Sequence, residues 1–216
     1  MKAVLFDMDG VLLDSEIPSF SLLRNTLVKK GAEITLEDLL ERYTGVTSND
    51  IYAELIEKYS FGQSVDEFRL EHRRLSGNYY MEGPMSPMPG VVELLEHLCD
   101  HGKRMAVVSS THSQNVLFVL NRLSILRYFD AIVCGDMVEK TKPSPEGYLK
   151  ATEYLGLAPS DCLIVEDSPI GIRAAKNAGI MVAGYKGSEH VQDTSQADIQ
   201  VASHGELLEW LLARGM

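Results

Sequence analysis

Ala3-Val4-Leu5-Phe6-Asp7-Met8-Asp9-Gly10 decides the fold: an apolar run leads straight into two carboxylates and a glycine. A short continuous apolar run suits a strand covered on both faces, and Gly10 permits a tight turn after it. Met105 to Val108, Ala131 to Cys134, Cys162 to Val165 and Ile180 to Ala183 are runs of the same kind. Helical patterns of about ten residues or more lie between most of them. The alternation predicts an α/β fold with a Rossmann-like parallel sheet sandwiched by helices.

Start and stop signals place several helices. Ser168 and Pro169 form an N-cap and first-turn pair, and Gly179 stops the helix Pro169 to Ala178. Val91, Leu94, Leu95 and Leu98 recur at helical spacing after Pro89 and Gly90, ahead of Gly102. Residues 14–85 differ, holding helical periodicity without a strand. Phe20, Leu23 and Leu27 with Gly31 mark one helix, and Asn49 to Tyr59 another. Thr35 with Asp38, and Ser64 with Glu67, have the spacing of capping boxes and start two more. A small four-helix domain, 14–85, is therefore expected as an insertion between 1–13 and 86–216, which form the core. The breaker cluster Gly83 to Gly90 closes it.

Composition narrows the function. The net charge of −11 across 216 residues opposes sequence-independent attraction to nucleic acid or anionic lipid, so neither is an expected partner. The longest apolar runs fall far below the roughly 18 residues of a membrane span. Ala3 to Phe6 is too short for a signal-peptide core, so a cytoplasmic location is expected. Cys99, Cys134 and Cys162 read as reduced, buried thiols. A monomer is expected.

Chemistry is expected at the carboxyl ends of the strands, where open α/β sheets bind ligands. Asp7 and Asp9 end the first strand, Ser109 and Ser110 the Met105 strand, and Glu166 and Asp167 the Cys162 strand. Taken singly, an Asp or Gly after a strand is a turn former and a Ser before a helix is a cap. Together, the carboxylates would repel by up to about 4 kcal/mol per close pair at an effective dielectric of 20. A bound cation or Lys142, in the segment Lys142-Pro143-Ser144-Pro145, can offset that. Mg²⁺ suits a hard oxygen site with few protein ligands. No HExxH, paired CxxC or Walker A pattern supports zinc hydrolysis or P-loop chemistry.

These residues resemble the haloacid dehalogenase superfamily, in its subgroup of β-phosphoglucomutase-like phosphatases with a helical cap. Asp7-Met8-Asp9-Gly10 is similar to the first motif, Ser109 to the second, Lys142-Pro143 to the third and Glu166-Asp167 to the fourth. The resemblance implies an Mg²⁺-dependent phosphatase that hydrolyses a small phosphorylated metabolite, such as a sugar phosphate, through an aspartyl-phosphate. It implies Asp7 as nucleophile, Asp9 as general acid and base, and Ser109, Ser110 and Lys142 as phosphoryl holders. It gives Asp7, the Asp9 carbonyl and Asp167 as metal ligands, with Glu166 in an outer position. A cap would close over the site, offering Gly45, Val46, Thr47 and Ser48, with His112 bordering the pocket from the core. Thr47 and Ser48 also fit as plain helix caps, and Arg73 and Arg74 as solvated helix charges. Where phosphomutases of the subgroup carry a cap His and a cap Arg, this chain holds Ser19 and Ser48. Hydrolysis is therefore preferred over a β-phosphoglucomutase-type reaction, and a non-catalytic phosphometabolite-binding module is the remaining alternative.

Overall fold

The computed structural model describes residues 1–44, 46, 48–82, 85–188 and 192–215. Two compact units emerge, one from Met1–Asp14 with Met85–Met216, the other from Ser15–Pro84. In chain order the elements are β1 (Ala3–Phe6), α1 (Glu16–Lys29), α2 (Leu36–Tyr43), α3 (Ser48–Tyr59), α4 (Val65–Glu82), α5 (Val91–Asp100), β2 (Arg104–Val108), α6 (Ser113–Arg122), β3 (Ala131–Val133), α7 (Glu146–Leu155), β4 (Cys162–Glu166), α8 (Pro169–Asn177), β5 (Met181–Tyr185), β6 (Ile199–Val201) and α9 (His204–Leu212). Among the described residues no helix is long and apolar enough to cross a membrane.

The larger unit is an α/β Rossmann-like core. Its strands are all parallel, in the order β3-β2-β1-β4-β5-β6. From β1 the chain steps outward through β2 and β3, then returns to β4 on the other side. The order therefore reverses between β1 and β4, and a crevice opens there at the strands' carboxyl ends. All four residues of β1 are fully buried, which explains its continuous apolar reading. Ala3 and Leu5 pack with Ala106, Val108 and Ile164 beneath Tyr148, Ala151 and Leu155 of α7 and Ile172, Ala174 and Ala175 of α8. Val4 and Phe6 alternate to the other face by the two-residue period of a strand.

The smaller unit is helical and has its own core, including Phe20, Leu23, Leu27, Leu39, Tyr43, Ile51, Tyr52, Leu55 and Phe68. Both expected capping boxes form. The Asp38 N–H donates to Thr35 Oγ1 at 3.0 Å while Asp38 Oδ2 accepts from the Thr35 N–H at 2.9 Å. The Glu67 N–H donates to Ser64 Oγ at 3.2 Å while Glu67 Oε2 accepts from the Ser64 N–H at 2.8 Å. Each reciprocal pair satisfies backbone donors that the first helical turn leaves free.

Three features differ from the sequence reading or extend it. Cys99 is exposed, whereas Cys134 and Cys162 are buried. Val91, Leu94, Leu95 and Leu98 form the inner face of α5, and Cys99 is one step of about 100° beyond Leu98. β5 runs on through Gly184 and Tyr185, past the apolar run, because Gly184 still pairs with Glu166. β6 is an edge strand of three residues with Gln200 exposed, too short to show a period.

α9 brings in a buried histidine. His204 has no exposed surface, its ring stacks on Tyr185 at 4.4 Å between centroids, and its Nε2 lies 2.8 Å from the Val11 carbonyl oxygen. A carbonyl only accepts, so Nε2 carries the proton and donates. Nδ1 is buried without a partner, and protonating it would bury a cation. Burial lowers the His204 pKa to about 4, against an opposing hydrogen bond to Val11. Burial likewise lowers His72, on α4, to about 4. Both folded-state values lie below that of a free imidazole, so the associated stability is complete above about pH 6.5 and is lost as pH falls toward 4. For His204 the loss is expected to reach about 3 kcal/mol by pH 4. Urea unfolding at graded pH should show it, with a shallower fall in His204→Gln, which can donate to Val11 but does not titrate.

Candidate active site

Three strand exits meet at the crevice. Asp7 follows β1, and its N–H donates to the Val165 carbonyl at 3.0 Å. Ser109 follows β2, with its N–H on the Val133 carbonyl at 3.0 Å. Glu166 ends β4 and Asp167 follows it. Carboxylate oxygens of Asp7, Glu166 and Asp167 lie within 4.8 Å of one another, and all three residues are buried. Lys142, on the connection between β3 and α7, reaches into the group. Its Nζ donates to Asp7 Oδ1 at 2.7 Å and to Glu166 Oε1 at 2.6 Å.

Glu166 is saturated with donors. Tyr148 of α7 donates its hydroxyl to Oε1 at 2.9 Å, beside Lys142. Ser168 gives Oε2 both its N–H, at 3.1 Å, and its hydroxyl, at 3.0 Å. Ser168 Oγ also accepts from the Gly171 N–H at 3.0 Å, so this residue caps α8 and holds Glu166 at once. On the opposite side, Thr111 donates its hydroxyl to Asp9 Oδ2 at 3.0 Å. Gln192 donates Nε2 to Asp167 Oδ2 at 3.3 Å and leaves its Oε1 buried without a partner. Ser109, Ser110, Lys142 and Tyr148 line one small cavity with Val108, Thr141 and Gly147.

The charges do not balance on their own. Burial pushes the Asp7 carboxyl up to about 7; Lys142 opposes that rise, and Glu166 and Asp9 add to it. Burial disfavours the Lys142 ammonium, yet Asp7 and Glu166 hold its pKa well above the ordinary lysine range. One ammonium thus faces the carboxylates of Asp7, Glu166 and Asp167, leaving excess negative charge in a buried, all-oxygen cluster. Such a set can coordinate a divalent metal.

Residues 4–185 match the haloacid dehalogenase-like hydrolase family. The chain belongs to that family. A phosphorylated carbohydrates phosphatase of Thermotoga maritima is 37% identical over 180 residues, covering 83% of this chain and 82% of that protein. A phosphoglycolate phosphatase of Aquifex aeolicus is 34% identical over 186 residues, covering 85% and 84%. The crystal structure of ATU0790 from Agrobacterium tumefaciens, a conserved haloacid dehalogenase-like protein, superposes with a TM-score of 0.84 at 25% identity, covering 100% of both chains.

Two glycines of this haloacid dehalogenase-like hydrolase are required by its carboxylates. Gly10 has φ +79°, and a Cβ there would lie 2.0 Å from Asp167 Oδ2. A Cβ on Gly171 would lie 1.7 Å from Glu166 Oε1. Glu166 cannot swing aside without breaking its bonds to Lys142, Tyr148 and Ser168. Gly171→Ala is therefore expected to cost roughly 1–3 kcal/mol by overpacking and to lower turnover with it. Thermal melting and phosphate-release assays on the same sample check both.

Not every candidate joins this group. Gly45 and Thr47 lie outside the described residues, as do Gly83 and Pro84 of the breaker cluster. Val46 is exposed, and Ser48 opens α3. His112 is exposed and caps α6, with Nδ1 accepting from the Gln114 N–H at 3.4 Å and Nε2 3.5 Å from Asp136. Arg73 and Arg74 are exposed on α4. Sequence reasoning missed Tyr148, Thr111 and Gln192. Thr111 was within reach, since the rule that selected Ser109 extends naturally two residues along the same exit. Tyr148 on the inner face of α7 carries only a packing signal, and Gln192 none.

Proposed function

We propose that this hydrolase is an Mg²⁺-dependent phosphatase of the β-phosphoglucomutase-like subgroup, releasing phosphate from a small phosphorylated metabolite such as a sugar phosphate. The observation that carries this reading is the buried Asp7–Lys142–Glu166 bridge at the crevice between β1 and β4. The phosphatase relatives, one acting on phosphorylated carbohydrates, support the substrate class.

In this reading Asp7 attacks phosphorus in line, forming the aspartyl-phosphate as the bond to the leaving oxygen breaks. Asp9 gives the leaving oxygen its proton and then takes one from the attacking water. Ser109, the Ser110 N–H and Lys142 hold the phosphoryl oxygens, where charge accumulates. Asp7, Asp167 and the Asp9 carbonyl would hold Mg²⁺, which when bound would supply positive charge to offset the negative charge of the transferring phosphoryl group. Glu166, with both oxygens occupied by protein donors, fixes Lys142. Neither Ser19 nor Ser48 can grip a second phosphate as a cation would, which favours hydrolysis over transfer between positions.

A panel of sugar phosphates, phosphoglycolate and p-nitrophenyl phosphate, assayed with Mg²⁺ and with chelator, tests this. Phosphate release is expected only with the metal, and Mg²⁺ is expected to raise the melting temperature even without substrate. Interconversion of glucose phosphates without net release would make the protein a mutase, and binding without turnover a non-catalytic module.

A further inference from the structure

We infer that Thr111 is a positioning residue for Asp9, restraining its carboxyl group from an anchored backbone. The inference rests on the phosphatase reading, in which Asp9 is the general acid.

Thr111 is itself held in place. Its N–H donates to Ser109 Oγ at 3.0 Å, and its carbonyl accepts from the Gly135 N–H at 3.0 Å. The neighbouring backbones run so close that a Cβ on Gly135 would meet the Ser110 carbonyl oxygen at 2.2 Å. From this anchored backbone the hydroxyl donates to Asp9 Oδ2 at 3.0 Å, across 102 residues of sequence. One residue thus spans the phosphoryl-holding Ser109 and the acid Asp9.

The hydroxyl ties one oxygen of the Asp9 carboxyl to that backbone. The bond therefore restrains rotation of the carboxyl group, and with it the aim of the acid at the leaving oxygen. In the first step the Asp7–phosphorus bond forms, the bond from phosphorus to the leaving oxygen breaks, and a proton passes from Asp9 to that oxygen. Asp9 is left ionised, with Thr111 still donating to Oδ2.

Proton donation matters most when the leaving group is a poor one. kcat/KM for a series of aryl phosphates, from p-nitrophenyl to phenyl phosphate, isolates this first transfer. Thr111→Val is expected to lose about tenfold or more on phenyl phosphate and little on p-nitrophenyl phosphate, a share of the contribution of general acid catalysis. Thr111→Ser, which keeps the hydroxyl, should restore the wild-type dependence. Asp9→Asn serves as the control and should show the same selectivity more strongly. Competitive inhibition by inorganic phosphate reports whether each variant retains a folded site, and Thr111→Ala replaces the Val variant if that one does not. Equal losses on every substrate, or none, in Thr111→Val beside a selective loss in Asp9→Asn would overturn the inference and leave the phosphatase reading standing. Absence of selectivity in Asp9→Asn would overturn the acid assignment itself.

Discussion

Asp7→Asn is expected to lower kcat by at least about 10⁴-fold, the scale seen when a nucleophile acting as part of a unit is removed. In the proposed mechanism an amide has no anionic oxygen to attack phosphorus, and Ser109 and Lys142 would still bind the phosphoryl group but not replace that bond. The fold should not suffer. Asp7 is buried with its carboxyl pushed up to about 7, chiefly by burial and also by the charges of Glu166 and Asp9. Neutralising it relieves repulsion, while Lys142 retains Glu166 as its partner. Melting temperature is therefore expected to hold or rise as activity disappears, the trade-off of a site strained for function. Turnover within tenfold of wild type would show that Asp7 is not the nucleophile.

Lys142→Met is expected to do the opposite and damage both properties. The Lys142 side chain is 10% exposed, and its partners Asp7 and Glu166 are 12% and 0% exposed. Removing the cation leaves those carboxylates buried and uncompensated, a loss of about 3–5 kcal/mol. In the proposed mechanism it also removes a donor from the phosphoryl oxygens, worth about 10²–10³ in kcat at comparable sites. Equilibrium urea unfolding with and without Mg²⁺ checks the electrostatic cause. A saturating divalent cation should restore part of the lost stability, because it neutralises the same carboxylates. A variant as stable as wild type in chelator would mean that the cluster does not depend on Lys142.

Asp7, Ser109 and Asp167 were legible in the sequence because each ends an apolar run, and the sheet order places β2, β1 and β4 side by side. Of the inserted helices, α2 and α4 were legible through capping boxes, whose chemistry is local, and α1 and α3 through apolar periodicity. Lys142 belongs to no strand exit, and only its motif drew attention to it. The donors that complete the site came from elements with no polar signature: Tyr148 lies on the apolar face of α7, and Gln192 in a segment without periodicity. Their roles depend on packing partners 18 and 25 residues away in the chain. Cys99 shows the same limit from the other side, since an apolar neighbourhood in sequence does not say which face of a helix looks inward. β6 carried too few residues to reveal a period, and the His204 bond to Val11 spans 193 positions.

The most direct test is to quench turnover of radiolabelled p-nitrophenyl phosphate rapidly in acid and map the label on the protein. A hydroxylamine-labile acyl phosphate is expected on the peptide that carries Asp7, absent from Asp7→Asn. Label on Ser109, or an unlabelled protein turning over with inversion at phosphorus, would contradict it.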